Sequence, residues 1–103
     1  MTTLIIDTSS NEYIYVGLSI DGKTDNIKQK IDARKAQVVL PLIDKLLDKH
    51  QLKPTDISSI EVNVGPGSFT GLRVGMVIAN ALAYSLKISV NNKPVGEFIE
   101  PTY

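Results

Sequence analysis

Gly65-Pro66-Gly67-Ser68-Phe69-Thr70-Gly71-Leu72-Arg73-Val74-Gly75 decides the fold, because it joins an apolar strand to a long apolar helix through a loop rich in glycine. Three of the chain's seven glycines fall between Gly65 and Gly71, and Gly75 adds a fourth inside the helix. Before them, Ile60, Val62 and Val64 alternate as a strand does. Glycine permits backbone angles closed to other residues, and the Ser68 and Thr70 hydroxyls can accept from the unpaired amides of the first helical turn. The stretch therefore reads as strand, tight loop and capped helix. Free amides and the helix dipole would also suit an anion. Yet the Gly-Lys-Ser/Thr ending of a P-loop and the Gly-x-Gly-x-x-Gly dinucleotide pattern are both missing.

Outward along the helix, Gly71, Gly75, Ala79 and Ala83 form a stripe of small residues, flanked by Leu72, Met76, Leu82 and Leu86. Such a stripe admits a close neighbour, either the chain's own sheet or a partner. Val74, Val77, Ile78 and Ala81 make the remaining faces apolar too. A helix apolar all round asks to be covered on both sides, which is hard to satisfy within 103 residues.

Upstream, Leu4-Ile5-Ile6 reads as a buried strand ending at the polar turn Asp7-Thr8-Ser9-Ser10-Asn11. From Tyr13 to Ile20, alternation places Ile14, Val16, Leu18 and Ile20 on one face and Tyr13, Tyr15, Gly17 and Ser19 on the other. Asp21-Gly22 predicts a hairpin, with a polar edge strand returning over Lys23 to Ile31. Val39, Leu42, Ile43, Leu46 and Leu47 predict a helix over Lys35 to His50, bent by Pro41 unless it begins only near Leu40. A connection over 51–59, the glycine-loop strand, the second helix and a short strand at Ile88 to Val90 complete the order. One unit over 1–92 is expected, followed by an irregular tail over 93–103.

Hydrophobic residues make up 43% and charged residues 21%, with eleven basic against eleven acidic side chains, as in an ordinary globular domain. That balance argues against a chain that grips nucleic acid unaided. The local basic excess at Lys28, Lys30, Arg34 and Lys35, diluted by Asp32, reads first as a solvated edge and second as a contact for tRNA. Cysteine is absent, and the single histidine, His50, cannot build a zinc site, so no metal and no cofactor are expected. His50 itself reads as a solvated residue near the helix C-terminus. The N-terminus shows neither a signal nor a membrane segment, which points to the cytoplasm. No nucleophile-base set, paired carboxylates or His-x-x-x-His pair stands out, so no catalytic residue is assigned and no activity is expected of the chain alone.

Three strands, helix, strand, helix and short strand imply an α/β fold with a mixed sheet, strands 1 to 3 antiparallel, and two packed helices. This order resembles a ribonuclease H-like, actin-like ATPase lobe. In that superfamily an acidic residue and small hydroxyls after the first strand face nucleotide phosphate. Asp7, Thr8, Ser9, Gly67 and Ser68 are thus the candidates for an anion, with a self-capped turn as the other reading.

Leu4-Ile5-Ile6-Asp7-Thr8-Ser9, Val39-Leu40-Pro41-Leu42-Ile43 and the glycine stretch together resemble the TsaB (YeaZ) family, from Thr3 to about Val90. That family supplies the non-catalytic subunit of the bacterial machinery for threonylcarbamoyladenosine in tRNA. The resemblance implies pairing with a TsaD-like catalytic subunit through the two helices, an ATPase of the TsaE kind in the same assembly, and tRNA met through the complex. Carried onto this chain, the contact residues are Val38, Pro41, Leu42, Lys45, Gly71, Leu72, Gly75, Met76, Ala79 and Ala83. Self-pairing through the same helices and a degenerate actin-like nucleotide-binding fragment are the rival expectations. The chain departs from the family in carrying Lys35-Ala36-Gln37 where a His-Ser-Glu-like triplet is usual, and it is expected to be a one-lobe version without the family's second lobe.

Overall fold

The computed structural model describes residues 1–30 and 35–100; Ile31, Asp32 and Arg34, which entered the expectations above, lie outside them. Strands β1 (Thr2–Asp7), β2 (Tyr13–Ile20) and β3 (Lys23–Lys30) are followed by helix α1 (Lys35–Lys49), a 3-10 turn (Pro54–Asp56), strand β4 (Ser59–Val62), helix α2 (Phe69–Leu86) and strand β5 (Ser89–Val90). The five strands form one sheet in the order β3-β2-β1-β4-β5. β1 to β3 pair antiparallel, and β4 joins β1 and β5 in parallel. The mixed sheet expected from the sequence is therefore present.

Asp21 and Gly22 both take positive φ, 49° and 87°, which is what a two-residue hairpin with the right twist demands. Period-two patterning then turns Leu4 and Ile6, Ile14, Val16 and Leu18, and Ile60 and Val62 to one face, where all are buried. Both helices cover that face: α1 packs on β2, and α2 on β4, β1 and β5. Val39, Leu42, Ile43, Leu46 and Leu47 come from α1, and Leu72, Met76, Ala79 and Ala83 from α2. Each fully buried Leu, Ile or Val stabilises the fold by about 1.5–3 kcal/mol relative to exposure. Among the described residues no helix packs on the opposite sheet face.

Several boundaries differ from expectation for identifiable reasons. Helix α1 starts at Lys35 and runs through Pro41, so proline sits in its interior rather than at its first position. Helix α2 starts at Phe69, two residues before Gly71, because Ser68 caps it: its Oγ accepts from the Gly71 N–H at 3.3 Å. Its end is closed by Lys87 in the left-handed region, φ 57°, with the Lys87 N–H donating to the Ala83 carbonyl. His50 is not simply solvated at the end of α1. Its Nε2 lies 2.8 Å from Asp25 Oδ2 on β3, and the Lys49 ammonium approaches the same oxygen at 2.8 Å.

The small-residue stripe requires a correction. Leu72, Met76, Ala79 and Ala83 are at most 6% exposed, and Gly71 and Gly75 are buried as well. They face the chain's own sheet, so they are not available as a contact surface. The cause is Thr8, whose buried hydroxyl donates to the Gly71 carbonyl and accepts from the Gly75 N–H at 3.0 Å. One side chain from the β1 turn is thus threaded between two ends of a helical rung. A Cβ on Gly75 would fall 2.5 Å from that hydroxyl, so glycine is what lets the helix come down onto β1.

The segment after β5 has no helix or strand in its described part, yet it is docked. Ile99 is 7% exposed, its N–H donates to Asn80 Oδ1 at 3.2 Å, and Asn80 Nδ2 donates back to its carbonyl at 3.3 Å. Phe98 meets Tyr84 edge-on, with ring centres 6.4 Å apart.

Candidate functional site

Two features of the chain could carry function: the joined β1 turn and glycine loop, and the outer surface of the helix layer. The first lies at the C-terminal ends of β1 and β4, where open α/β sheets place ligands. Asp7 Oδ1 accepts from the Ser9 N–H (2.9 Å) and the Ser9 hydroxyl (2.6 Å), while Asn63 Nδ2 donates to Asp7 Oδ2 (3.3 Å) and to Ser9 Oγ (3.2 Å). Burial works to raise the Asp7 pKa, but the bonds from Ser9 and Asn63 outweigh it and hold the carboxyl below its ordinary value. The glycine loop closes over this cluster. Ser68 N–H donates to the Ser9 carbonyl at 3.0 Å, and Gly65 N–H to Asn63 Oδ1 at 2.9 Å. Gly65 has φ 131°, which excludes side chains, and a Cβ on Gly67 would sit 2.7 Å from that of Ser9.

Asp7, Thr8, Ser9, Gly67 and Ser68 are therefore brought together as the sequence suggested. What they do there is bond within the chain, Asp7 and Ser68 to Ser9, and Thr8 to Gly71 and Gly75. The Ser9, Ser68 and Gly71 amides are spent inside the chain, and the ionised Asp7 carboxylate repels an anion. These bonds favour the self-capped turn over an anion cradle. Asn63 was missed by sequence reading; its signal was a polar amide two residues before a glycine, an Asx turn.

On the helix layer, Leu42 of the expected contact residues is 5% exposed and belongs to the core, Val38 is half-buried, and Pro41 and Lys45 are exposed. The surface actually offered is a shallow groove of about 360 Å³ lined by Leu40, Thr70, Arg73, Val74, Val77 and Ile78. Leu40 is 48% and Val77 67% exposed, high values for aliphatic side chains lying side by side. Sequence reading named the apolar surplus of α2 and left its small-residue stripe open between sheet and partner; the stripe is buried against the sheet.

A mixed five-stranded sheet with two helices on one face and an acid-hydroxyl turn after β1 defines a lobe of the actin-like ATPase class. The family model described as "TsaD: tRNA N6-adenosine threonylcarbamoyltransferase" matches residues 28–92. The tRNA threonylcarbamoyladenosine biosynthesis protein TsaB of Bacillus subtilis is 35% identical over 94 residues, covering 88% of this chain and 40% of that protein. The TsaB protein of Escherichia coli is 34% identical, covering 85% and 38%. The solved structure of YeaZ from Pseudomonas aeruginosa superposes with a TM-score of 0.80 at 32% identity, over 86% of this chain and 41% of that one. The chain belongs to this family, as a TsaB (YeaZ) type member. It spans about two fifths of the length of these relatives. No helix among the described residues is long and apolar enough to cross a membrane.

Proposed function

We propose that this chain is a non-catalytic docking lobe in the threonylcarbamoyl modification of tRNA adenosine, binding a TsaD-like transferase through the groove between α1 and α2. The carrying observation is the exposure of Leu40 and Val77 in a groove whose floor is Val74 and Ile78. Aliphatic side chains so placed gain by association, at about 25 cal/mol for each Å² covered. Support for a non-catalytic role comes from the candidate chemical groups, which are engaged structurally: Asp7 with Ser9 and Asn63, and His50 with Asp25. An ATPase of the TsaE kind completes the proposed assembly, and its setting is the cytoplasm. Pairing of two copies through the same groove is the competing use of this surface, because a self-complementary apolar patch closes under two-fold symmetry.

The test is to mix the chain with the TsaD-like protein of the same organism and measure mass by size exclusion with light scattering, beside the chain alone. A one-to-one complex supports the reading. A chain that stays monomeric in the mixture refutes it, and a dimer that ignores the transferase favours self-pairing.

A further inference from the structure

The sheet face opposite the helices carries a second constellation, made by cross-strand register. Asp7 pairs with Tyr15, Tyr15 with Lys28, and Tyr13 with Lys30, so the four residues of β2 and β3 share one face beside the Asp7 carboxylate. Tyr15 lies along the sheet over Gly17, where an added Cβ would meet its ring at 3.0–3.3 Å. The glycine thus lets one aromatic ring lie flat. Tyr13 is 37% exposed, and the Lys28 ammonium stands 4.9 Å from its ring centre. Asp7, Ser10, Tyr13, Tyr15 and Lys28 line a cavity of about 230 Å³. Neither Lys28 nor Lys30 pairs with a carboxylate among the described residues.

Two aromatic rings and two lysines that pair with no carboxylate among the described residues, on a sheet face that no described helix covers, meet the requirements for single-stranded nucleic acid: stacking surfaces for bases and positive charge for phosphates. Alternate residues of a strand stand about 6.8 Å apart, close to the step between successive phosphates of an extended strand. We infer that this face binds a short single-stranded RNA segment, with bases against Tyr13 and Tyr15 and phosphates along Lys28 and Lys30. The choice of RNA rests on the function proposed above; the platform itself rests on register and charge. It goes beyond that function in giving the chain a direct contact with the nucleic acid. With a net charge of zero and only two lysines on the platform, binding is weak and favoured by low salt.

The experiment measures fluorescence anisotropy of a fluorescein-labelled single-stranded RNA, with a perfectly paired RNA hairpin for comparison, against the whole chain at several salt concentrations. Tyr13→Ala is expected to weaken binding roughly 5- to 150-fold, and Tyr13→Phe to restore it, since stacking needs the ring and not the phenol. Lys28→Gln with Lys30→Gln is expected to flatten the logarithmic salt slope by about 1.4. Thermal unfolding of each variant confirms that the fold is kept, as these side chains lie outside the core. No binding at low salt, equal binding of hairpin and single strand, or indifference to Tyr13→Ala would overturn the inference. Failure of transferase docking with RNA binding intact would overturn only the proposed function.

Discussion

Thr8 shows how much one hydroxyl can settle. It is fully buried, and its two bonds fasten the β1 turn to the first turns of α2. Gly75→Ala would press a methyl onto that hydroxyl and should destabilise the chain by about 1–3 kcal/mol. With Thr8→Ala already in place the obstacle is gone, because the next atoms, Ile6 Cγ2 and Val62 Cγ2, lie at 3.4 Å. The second substitution should then be neutral or stabilise by up to about 1 kcal/mol through helix propensity. Urea unfolding of the two single variants and the double variant measures this coupling, and additivity within about 0.5 kcal/mol would rule out the threaded hydroxyl. Asp25 is a second residue with a readable consequence. Hydrogen bonds from Lys49 and His50, and from the Asn26 N–H, hold its carboxyl at about 2 against an ordinary 3.8. Because the folded value is depressed, its stabilisation is present above the ordinary carboxylate range and is lost as pH falls from about 3.8 to about 2. Asp25→Asn should therefore lower the unfolding midpoint at neutral pH and converge with the parent protein below that window. A constant gap down to the lowest pH would mean that the carboxylate's charge is not what stabilises.

Among the elements, α2 marks the boundary between what the sequence made legible and what it hid. Strand alternation, the Asp21-Gly22 hairpin, and the Ser68 cap all follow from local rules, so the element order could be read from the chain. Which face of an all-apolar helix turns inward is not local. Small residues suit either a sheet or a partner, and only Thr8, more than sixty residues away, assigns Gly71 and Gly75 to the sheet. The Asp25–His50 pair was hidden for the same reason, since it depends on the register of β3 against α1. The same geometry separates two substitutions on one helix. Val77→Asp, at a position 67% exposed, should change stability by no more than about 0.5 kcal/mol yet weaken transferase binding at least tenfold. Ala79→Arg, at 0% exposure two residues away, should unfold the chain, costing more than about 4 kcal/mol. Circular dichroism and size exclusion distinguish them; a folded Ala79→Arg chain that merely loses its partner would restore the stripe as the interface.

For the whole molecule, the consequence of placing both helices on one face is that the sheet has two unlike sides. One side ends in the apolar groove of Leu40 and Val77; the other presents Tyr13, Tyr15, Lys28 and Lys30. Between them stand the sheet and a helix layer about 10 Å thick. Sites so separated, with no shared side chain, should act independently. A chain carrying Val77→Asp together with Lys28→Gln and Lys30→Gln should lose transferase binding as Val77→Asp does alone, and RNA binding as the lysine pair does alone. The change in its unfolding free energy should equal the sum of the separate changes within about 0.3–0.5 kcal/mol. Titrating both ligands against all three variants reads this directly. Weaker transferase binding from the lysine changes alone would mean that a single continuous surface serves both partners, and would place the transferase across the sheet edge at β3 instead of on the helices.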